Sequence, residues 1–410
     1  MDNIQARIVI VGGGHGGGNM AALLRQAGHQ GDIQLICDEA FLPYHRPPLS
    51  KAFLKGEADL SSLLLRPDSF YAKGNIDVRL QTRVESIDAD ARRLTLAGGG
   101  GLDYDILILA TGSTARRLPV PGAELGGVHM LRTIADAQGF RAALAQGKRL
   151  AIIGGGYIGL EAAASARSLG AEAIVIERES RVLARVACET LSTFFQTYHS
   201  ARGVEFLTGV SVDSLVGGAG GFVEAVKLGD GRVIACDAVL VGVGGAPCDE
   251  LARSIGLACD NGVVVDLAAR TSIPGIYAIG DMTSRPLPHY GNRMFRLESV
   301  PNAVDQARAA AAAIMGKPLP EPDVPWFWSD QYDLKLQIAG VAFDADRTVV
   351  RGSSEHAPFS IWHLAGERVV SVEAIGSATD FMAGKKLIAS GKPVDPVALA
   401  NTAVSIKELV

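Results

Sequence analysis

The chain has 410 residues, 48% of them hydrophobic, enough to bury more than one core, so two or three domains are expected. A net charge of −5 with no long basic run argues against nucleic acid as a partner. No stretch has the length and apolarity of a membrane span, and the opening MDNIQAR lacks the layout of a signal peptide, so a cytoplasmic chain is expected.

The first apolar run, Ile8 to Val11, reads as a buried parallel strand. Gly12, Gly14 and Gly17 follow in G-x-G-x-x-G spacing, and then comes the helical pattern Met20, Leu23, Leu24, Ala27. A second strand, Ile33 to Ile36, ends at Asp38, about twenty residues past the glycines, where an acid accepts from a ribose hydroxyl. The spacing makes this a dinucleotide site, with a pyrophosphate on the helix N-terminus. Ile76–Val84 reads as a strand leading into a hairpin, Gly98–Gly101 as a turn, and Asp103–Gly112 as a buried strand running into glycine.

The same order then repeats. Arg149–Glu177 carries Gly154, Gly156 and Gly159 in the same spacing. Val204–Val212 matches Ile76–Val84, Gly217–Gly221 matches the first glycine turn, and Cys236–Gly245 matches Asp103–Gly112. Two dinucleotide-binding domains of one plan are therefore expected. Ser272–Asp281 is a further apolar strand, and a helix runs from about Pro301 to Met315, with proline in its first turn. These have no place in a second complete unit, so the second domain is inserted into the first. A proline-rich connector, Lys317–Pro325, leads to a third region of half-buried antiparallel strands, which ends in a helix near Asp380–Ser390. The fold class is α/β: two Rossmann-like domains plus an α+β C-terminal domain. Two dinucleotide sites in one chain suggest a flavin and a nicotinamide, and the boundaries are 1–113 with 246–320 for FAD, 114–245 for NAD and 321–410 for the C-terminal domain.

The paired glycine motifs, the Ala-Thr-Gly strand ending at Gly112 and the Gly280-Asp281 motif resemble the glutathione-reductase-like flavoproteins over about the first 320 residues. Three further stretches, Leu42–Lys51, Arg296–Ala307 and Pro325–Gly340, resemble one branch over the whole chain. That branch is the FAD-dependent NADH:ferredoxin reductases of bacterial cytochrome P-450 and Rieske oxygenase systems. The disulfide reductases of the superfamily carry a CxxxxC pair on the helix after the first acid. Here that segment carries Pro47, Pro48 and Lys51 and no cysteine, so electrons leave the flavin without a protein thiol.

The resemblance implies roles. Gly12, Gly14, Gly16 and Gly17 would hold the FAD pyrophosphate and Asp38 its adenosine ribose, with further contacts from Val84 and Arg132. Asp281 would bind the ribityl chain, and Val300 supplies backbone near the isoalloxazine. Lys51 is expected beside flavin N5, paired with Glu161, where it stabilises developing negative charge. Trp328 would shield flavin and nicotinamide, although two tryptophans as close as Trp326 and Trp328 are most simply packing residues of an edge strand. Gly154, Gly156 and Gly159 would hold NADH. Glu177 would favour NADH over NADPH, although Arg178 and Arg185 lie close by and could accept a 2′-phosphate. His15 is read as structural. The cysteines Cys37, Cys188, Cys236, Cys248 and Cys259 show no CxxC or zinc spacing and the histidines no ligand spacing, so no metal is expected.

The expected activity is electron transfer from NADH through FAD to a [2Fe–2S] ferredoxin by a monomer or weak homodimer. A rubredoxin or nitrite-reductase acceptor and an apoptosis-inducing-factor-like NADH sensor are the alternatives. Arg66, Arg285, Arg293, Arg308, Lys335, Lys385 and Lys386 are candidate partner-steering charges.

Overall fold

A computed structural model describes residues 3–410; Met1 and Asp2, the start of the expected first domain, lie outside them. The chain divides into two compact units. Of the described residues, one comprises 3–45, 61–114 and 246–327, and the other 46–60, 115–245 and 328–410.

The first unit is built on a parallel five-stranded sheet. Ile8–Val11 lies at its centre between Ile33–Ile36 and Ile106–Leu109, with Ile76–Arg79 at one edge and Ile276–Ala278 at the other. Ile8–Val11 and Ile106–Leu109 are buried at every position, which is why they read as unbroken apolar runs. Helices His15–Gln26 and Val300–Ile314 pack together beside this sheet through Met20, Leu24, Ala307 and Ala311. The strand that follows the inserted half therefore does return to the first sheet.

The second unit repeats the arrangement with Arg149–Ile153 at the centre. Glu172–Glu177 and Ala238–Val241 flank it, and Val204–Thr208 and Val128–His129 form the edges. One expectation needs correction in both halves. Ile76–Val84 and Val204–Val212 are each two elements. Ile76–Arg79 and Val204–Thr208 close a parallel sheet, and then Val84–Asp88 and Val212–Gly217 begin a separate antiparallel one. In the first half Gln81, at φ 48°, turns the chain between them, a conformation a continuous strand cannot contain.

The C-terminal region forms an antiparallel sheet in the order Trp326–Gln331, Leu334–Gly340, Arg368–Ile375, Phe359–Ala365, Arg347–Arg351. Phe359–Ala365 departs from the half-buried pattern, since Phe359 to Leu364 are all buried. Phe359, Ile361 and Ile375 pack on one face against Leu191, Phe194 and Phe195 of the helix Glu189–Ser200. Trp362 and Val372 lie on the other face beneath the helix Ala378–Ser390. There a Cβ on Gly384 would come within 2.2 Å of the Val372 side chain. A sheet covered by helices on both faces loses its polar side. No helix among the described residues is long and apolar enough to cross a membrane.

Candidate functional site

In the first unit, three turns meet at the carboxyl ends of neighbouring parallel strands, where ligands bind in open α/β sheets. Gly12 has φ +116°, and a Cβ on it would lie 2.3 Å from the Ala110 carbonyl oxygen. A Cβ on Gly17 would lie 1.9 Å from the Gly12 carbonyl oxygen, so only glycine lets this helix approach its strand. Gly14 differs. It is the N-cap of His15–Gln26, and a Cβ there would meet nothing within 4 Å. The open space before an N-terminus with unpaired N–H groups fits a pyrophosphate. Gly16 packs against Ile279 and Ala110, and His15 is buried with its ring 5.4 Å from that of His45.

Asp281 follows the strand Ile276–Ala278 and accepts from Ser113 Oγ at 3.2 Å. Arg296 donates to its carbonyl at 3.3 Å. The turn before it is pinned by Gln306, a buried residue to which the sequence assigned no role. Its Oε1 accepts from Gly280 N at 2.7 Å and from Thr283 Oγ1 at 3.0 Å. Gln306 belongs to the helix opened by Val300, whose N-cap Ser299 accepts from Asn302 N. Asp38 stands largely exposed at the end of Ile33–Ile36 with Arg83 Nη1 3.4 Å away, and Val84 is buried at the start of its strand.

The second unit repeats the glycine geometry. A Cβ on Gly154 would lie 2.4 Å from the Gly242 oxygen and one on Gly159 2.2 Å from the Gly154 oxygen, while one on Gly156 would meet nothing. Glu177 ends the second strand, and its carboxylate accepts from Gly155 N at 2.7 Å and from Glu179 N at 2.9 Å. The acid is thus locked against the glycine loop. Arg178 is exposed and paired with Glu179, and Arg185 is exposed near Gly244.

Glu161 projects from the helix Tyr157–Ser168 and is 3% exposed. Oε2 accepts from Lys51 Nζ at 2.6 Å and from Ser50 Oγ at 2.5 Å, and Oε1 accepts from Ser329 Oγ at 2.6 Å. The expected Lys51–Glu161 pair is thus present, completed by two serines that the sequence did not single out. Ser329 accepts in turn from Gln331 Nε2 at 3.1 Å, and Gln331 Oε1 lies 2.8 Å from His199 Nε2. Ser329, Gln331 and His199 are each at most 1% exposed. A buried carboxylate needs such a set of donors, because desolvation without them would disfavour its charge. The one available signal was the alternation in Trp326–Gln331, which puts two polar residues, Ser329 and Gln331, on one face. Trp328, half-buried and next to Ser329 in sequence, takes the other face of the strand.

Lys51 stands between the 3-10 turn Pro47–Ser50 and the short helix Ala52–Lys55. Ser165 Oγ, on the same helix as Glu161, donates to the Ser50 carbonyl at 2.7 Å, which fixes the segment. Arg132 engages through its main chain: Arg46 Nη1 donates to its carbonyl at 2.8 Å, and its N–H donates to Asp136 at 3.0 Å. No cysteine lies between Cys37 and Cys188, so the Pro47–Lys51 segment offers no redox thiol. Burial pushes the Cys37 thiol up to about 12, which leaves it inert.

A family model described as pyridine nucleotide-disulphide oxidoreductase matches residues 6–307, and one described as reductase C-terminal matches 326–410. The chain is similar to the probable ferredoxin reductase CtmF of Castellaniella defragrans, 51% identical over 386 residues that make up 94% of each chain. It is also similar to the rhodocoxin reductase of Rhodococcus erythropolis, 43% identical over 400 residues, 98% of this chain and 93% of the other. Among solved structures, a chain of the covalent putidaredoxin reductase–putidaredoxin complex matches with a TM-score of 0.96 and 39% identity, covering 98% of each chain. The chain belongs to the pyridine nucleotide-disulphide oxidoreductase family and carries a reductase C-terminal domain.

Proposed function

We propose that the chain is a cytoplasmic NADH-dependent ferredoxin reductase that serves a cytochrome P-450 or Rieske oxygenase through a [2Fe–2S] ferredoxin. The cofactors are FAD and NADH. Bound FAD supplies the exchange between a two-electron hydride donor and a one-electron iron–sulfur acceptor. The observation that carries this reading is the Lys51–Glu161 pair, held at 2.6 Å on a segment without cysteine.

Residues 1–113 and 246–320 form the FAD-binding domain, 114–245 the NAD-binding domain and 321–410 the C-terminal domain. Gly12, Gly14, Gly16 and Gly17 receive the FAD pyrophosphate, Asp38 the adenosine ribose and Asp281 the ribityl chain, with Val84, Arg132 and Val300 completing the contacts. Gly154, Gly156 and Gly159 receive the NADH pyrophosphate and Glu177 its ribose, beside Arg178 and Arg185. Lys51, oriented by Glu161, would supply a fixed positive charge to bound flavin. Trp328 excludes water.

The test is anaerobic stopped-flow kinetics on FAD-loaded protein with a panel of ferredoxins and a rubredoxin. Rapid one-electron reduction of a [2Fe–2S] ferredoxin is expected. Lys51→Met should slow flavin reduction by NADH at least about a hundredfold, the low end of what removing one electrostatic stabiliser costs. Rubredoxin reduction alone would move the acceptor. A long-lived reduced protein that passes electrons to neither would favour an NADH-sensing role.

A further inference from the structure

The face of the C-terminal sheet that meets the helix Glu189–Ser200 carries two polar side chains, and the start of that helix a third, which the proposed electron transfer does not use. Cys188 is the N-cap of that helix, and His363 and Glu373 project from the adjacent strands Phe359–Ala365 and Arg368–Ile375. Cys188 Sγ lies 3.0 Å from Glu373 Oε2, and His363 Nε2 lies 3.6 Å from the same oxygen. One donor atom from each residue falls within 4.8 Å of the other two.

The cluster is incomplete as it stands. His363 is 6% exposed, and its Nε2 is buried with no hydrogen-bond partner. Glu373 is 4% exposed and, among the described residues, has no lysine or arginine at ion-pair distance. Its remaining partners are the Cys188 N–H at 3.2 Å and the Cys188 thiol. A buried carboxylate beside an unpartnered imidazole nitrogen and a thiol lacks a cation at its centre.

We propose that Cys188, His363 and Glu373 bind a divalent cation of the zinc class, which ties the start of the helix Glu189–Ser200 to the C-terminal sheet. The donor set suits that class, since thiolate, imidazole and carboxylate are the side chains zinc takes. Tetrahedral zinc at about 2.0–2.3 Å from each donor needs donors about 3–4 Å apart, so a small inward closure completes the site. Charge balances: the thiol releases its proton to solvent, and one thiolate and one carboxylate then neutralise the dication. Cys188 is only half-buried, which leaves a route in, and water takes the fourth position. The sequence could not announce this site, because its ligands come from positions 188, 363 and 373 and no short spacing joins them.

The test uses the full-length FAD-loaded chain, stripped with chelator and then given Zn2+ or Co2+ alone before desalting and elemental analysis. Stoichiometric retention is expected for the parent chain and for Cys259→Ser. Cys188→Ser and His363→Ala should weaken it by about 100-fold or more. Co2+ should add thiolate charge-transfer and tetrahedral ligand-field bands, the latter at wavelengths longer than those of the flavin. Absence of stoichiometric uptake by the parent chain overturns the proposal, as does uptake unchanged in both ligand variants. If either variant loses its fold by circular dichroism, the cobalt spectrum of the parent chain decides: no thiolate bands, no site.

Discussion

Glu177 illustrates how one side chain can set cofactor choice. Its carboxylate is already held by Gly155 N and Glu179 N, so it is fixed at the lip of the glycine loop before any nucleotide arrives. A fixed acid accepts from a 2′-hydroxyl and repels a 2′-phosphate. We therefore expect kcat/KM to favour NADH, and Glu177→Gln to narrow the ratio; equal values for NADH and NADPH in the parent chain would refute this. His199 carries a different consequence. Burial pushes its pKa down from 6.5 to about 4, so the folded chain takes up this proton less readily than the unfolded one. The unfolded state binds more protons in that window. Stability is therefore full above about pH 6.5 and falls as pH drops towards 4, by up to about 3 kcal/mol from this residue. Urea melts across that range should show the slope reduced in His199→Gln, with the carboxylate-driven remainder kept.

At the scale of elements, the two glycine loops make a paired prediction. Gly17→Ala places a methyl 1.9 Å from a backbone oxygen and should damage the fold itself. Gly14→Ala meets no protein atom, so the chain should fold as before and lose flavin. Melting temperature and bound flavin, measured on both variants, separate the two effects. The loops also mark how far the sequence could be read. Strand, glycines, helix and acid follow from local sterics and period, and their repetition gave the two-sheet plan. Lys51 and Glu161 were paired only through resemblance, since 110 positions separate them. Ser50 and Gln306 carried no signal and Ser329 only the alternation of its strand, because a buried hydroxyl or amide is recognised by what faces it. The burial of Phe359–Ala365 on both faces was hidden for a related reason: Ser360 reads as a solvent-side residue, whereas it bonds Asp380 beneath a helix.

For the molecule as a whole, net charge and partner choice pull against each other. Small ferredoxins are generally acidic and this chain is at −5, so attraction requires local basic groups. Arg293, Lys335 and Lys386 are exposed. Arg308 is exposed but shares its charge with Asp305 at 3.1 Å. Arg285 suits steering less, because it is half-buried, donates to Asn302 at 3.2 Å and has its pKa lowered by desolvation. Arg66 is held by Asn19 and stacks over Phe70. Ferredoxin reduction should slow as salt rises, since screening acts over about 8–10 Å at ordinary ionic strength. Flavin reduction by NADH should change much less. Stopped-flow runs of the two half-reactions from low to moderate salt test this, and indifference of the ferredoxin step would mean that docking is chiefly apolar.

The strand Ile276–Ala278 closes the edge of the first sheet, next to Ile106–Leu109, and it is made only after the whole second glycine unit. On a ribosome this reverses the order of completion. The sheet centred on Arg149–Ile153 draws all its strands from residues 128–241 and can finish as soon as they emerge. The sheet centred on Ile8–Val11, begun first, must wait with one flank of a fully buried strand uncovered until residue 278 is out. The amino-terminal half of this protein is therefore the half that a nascent-chain chaperone would have to guard longest.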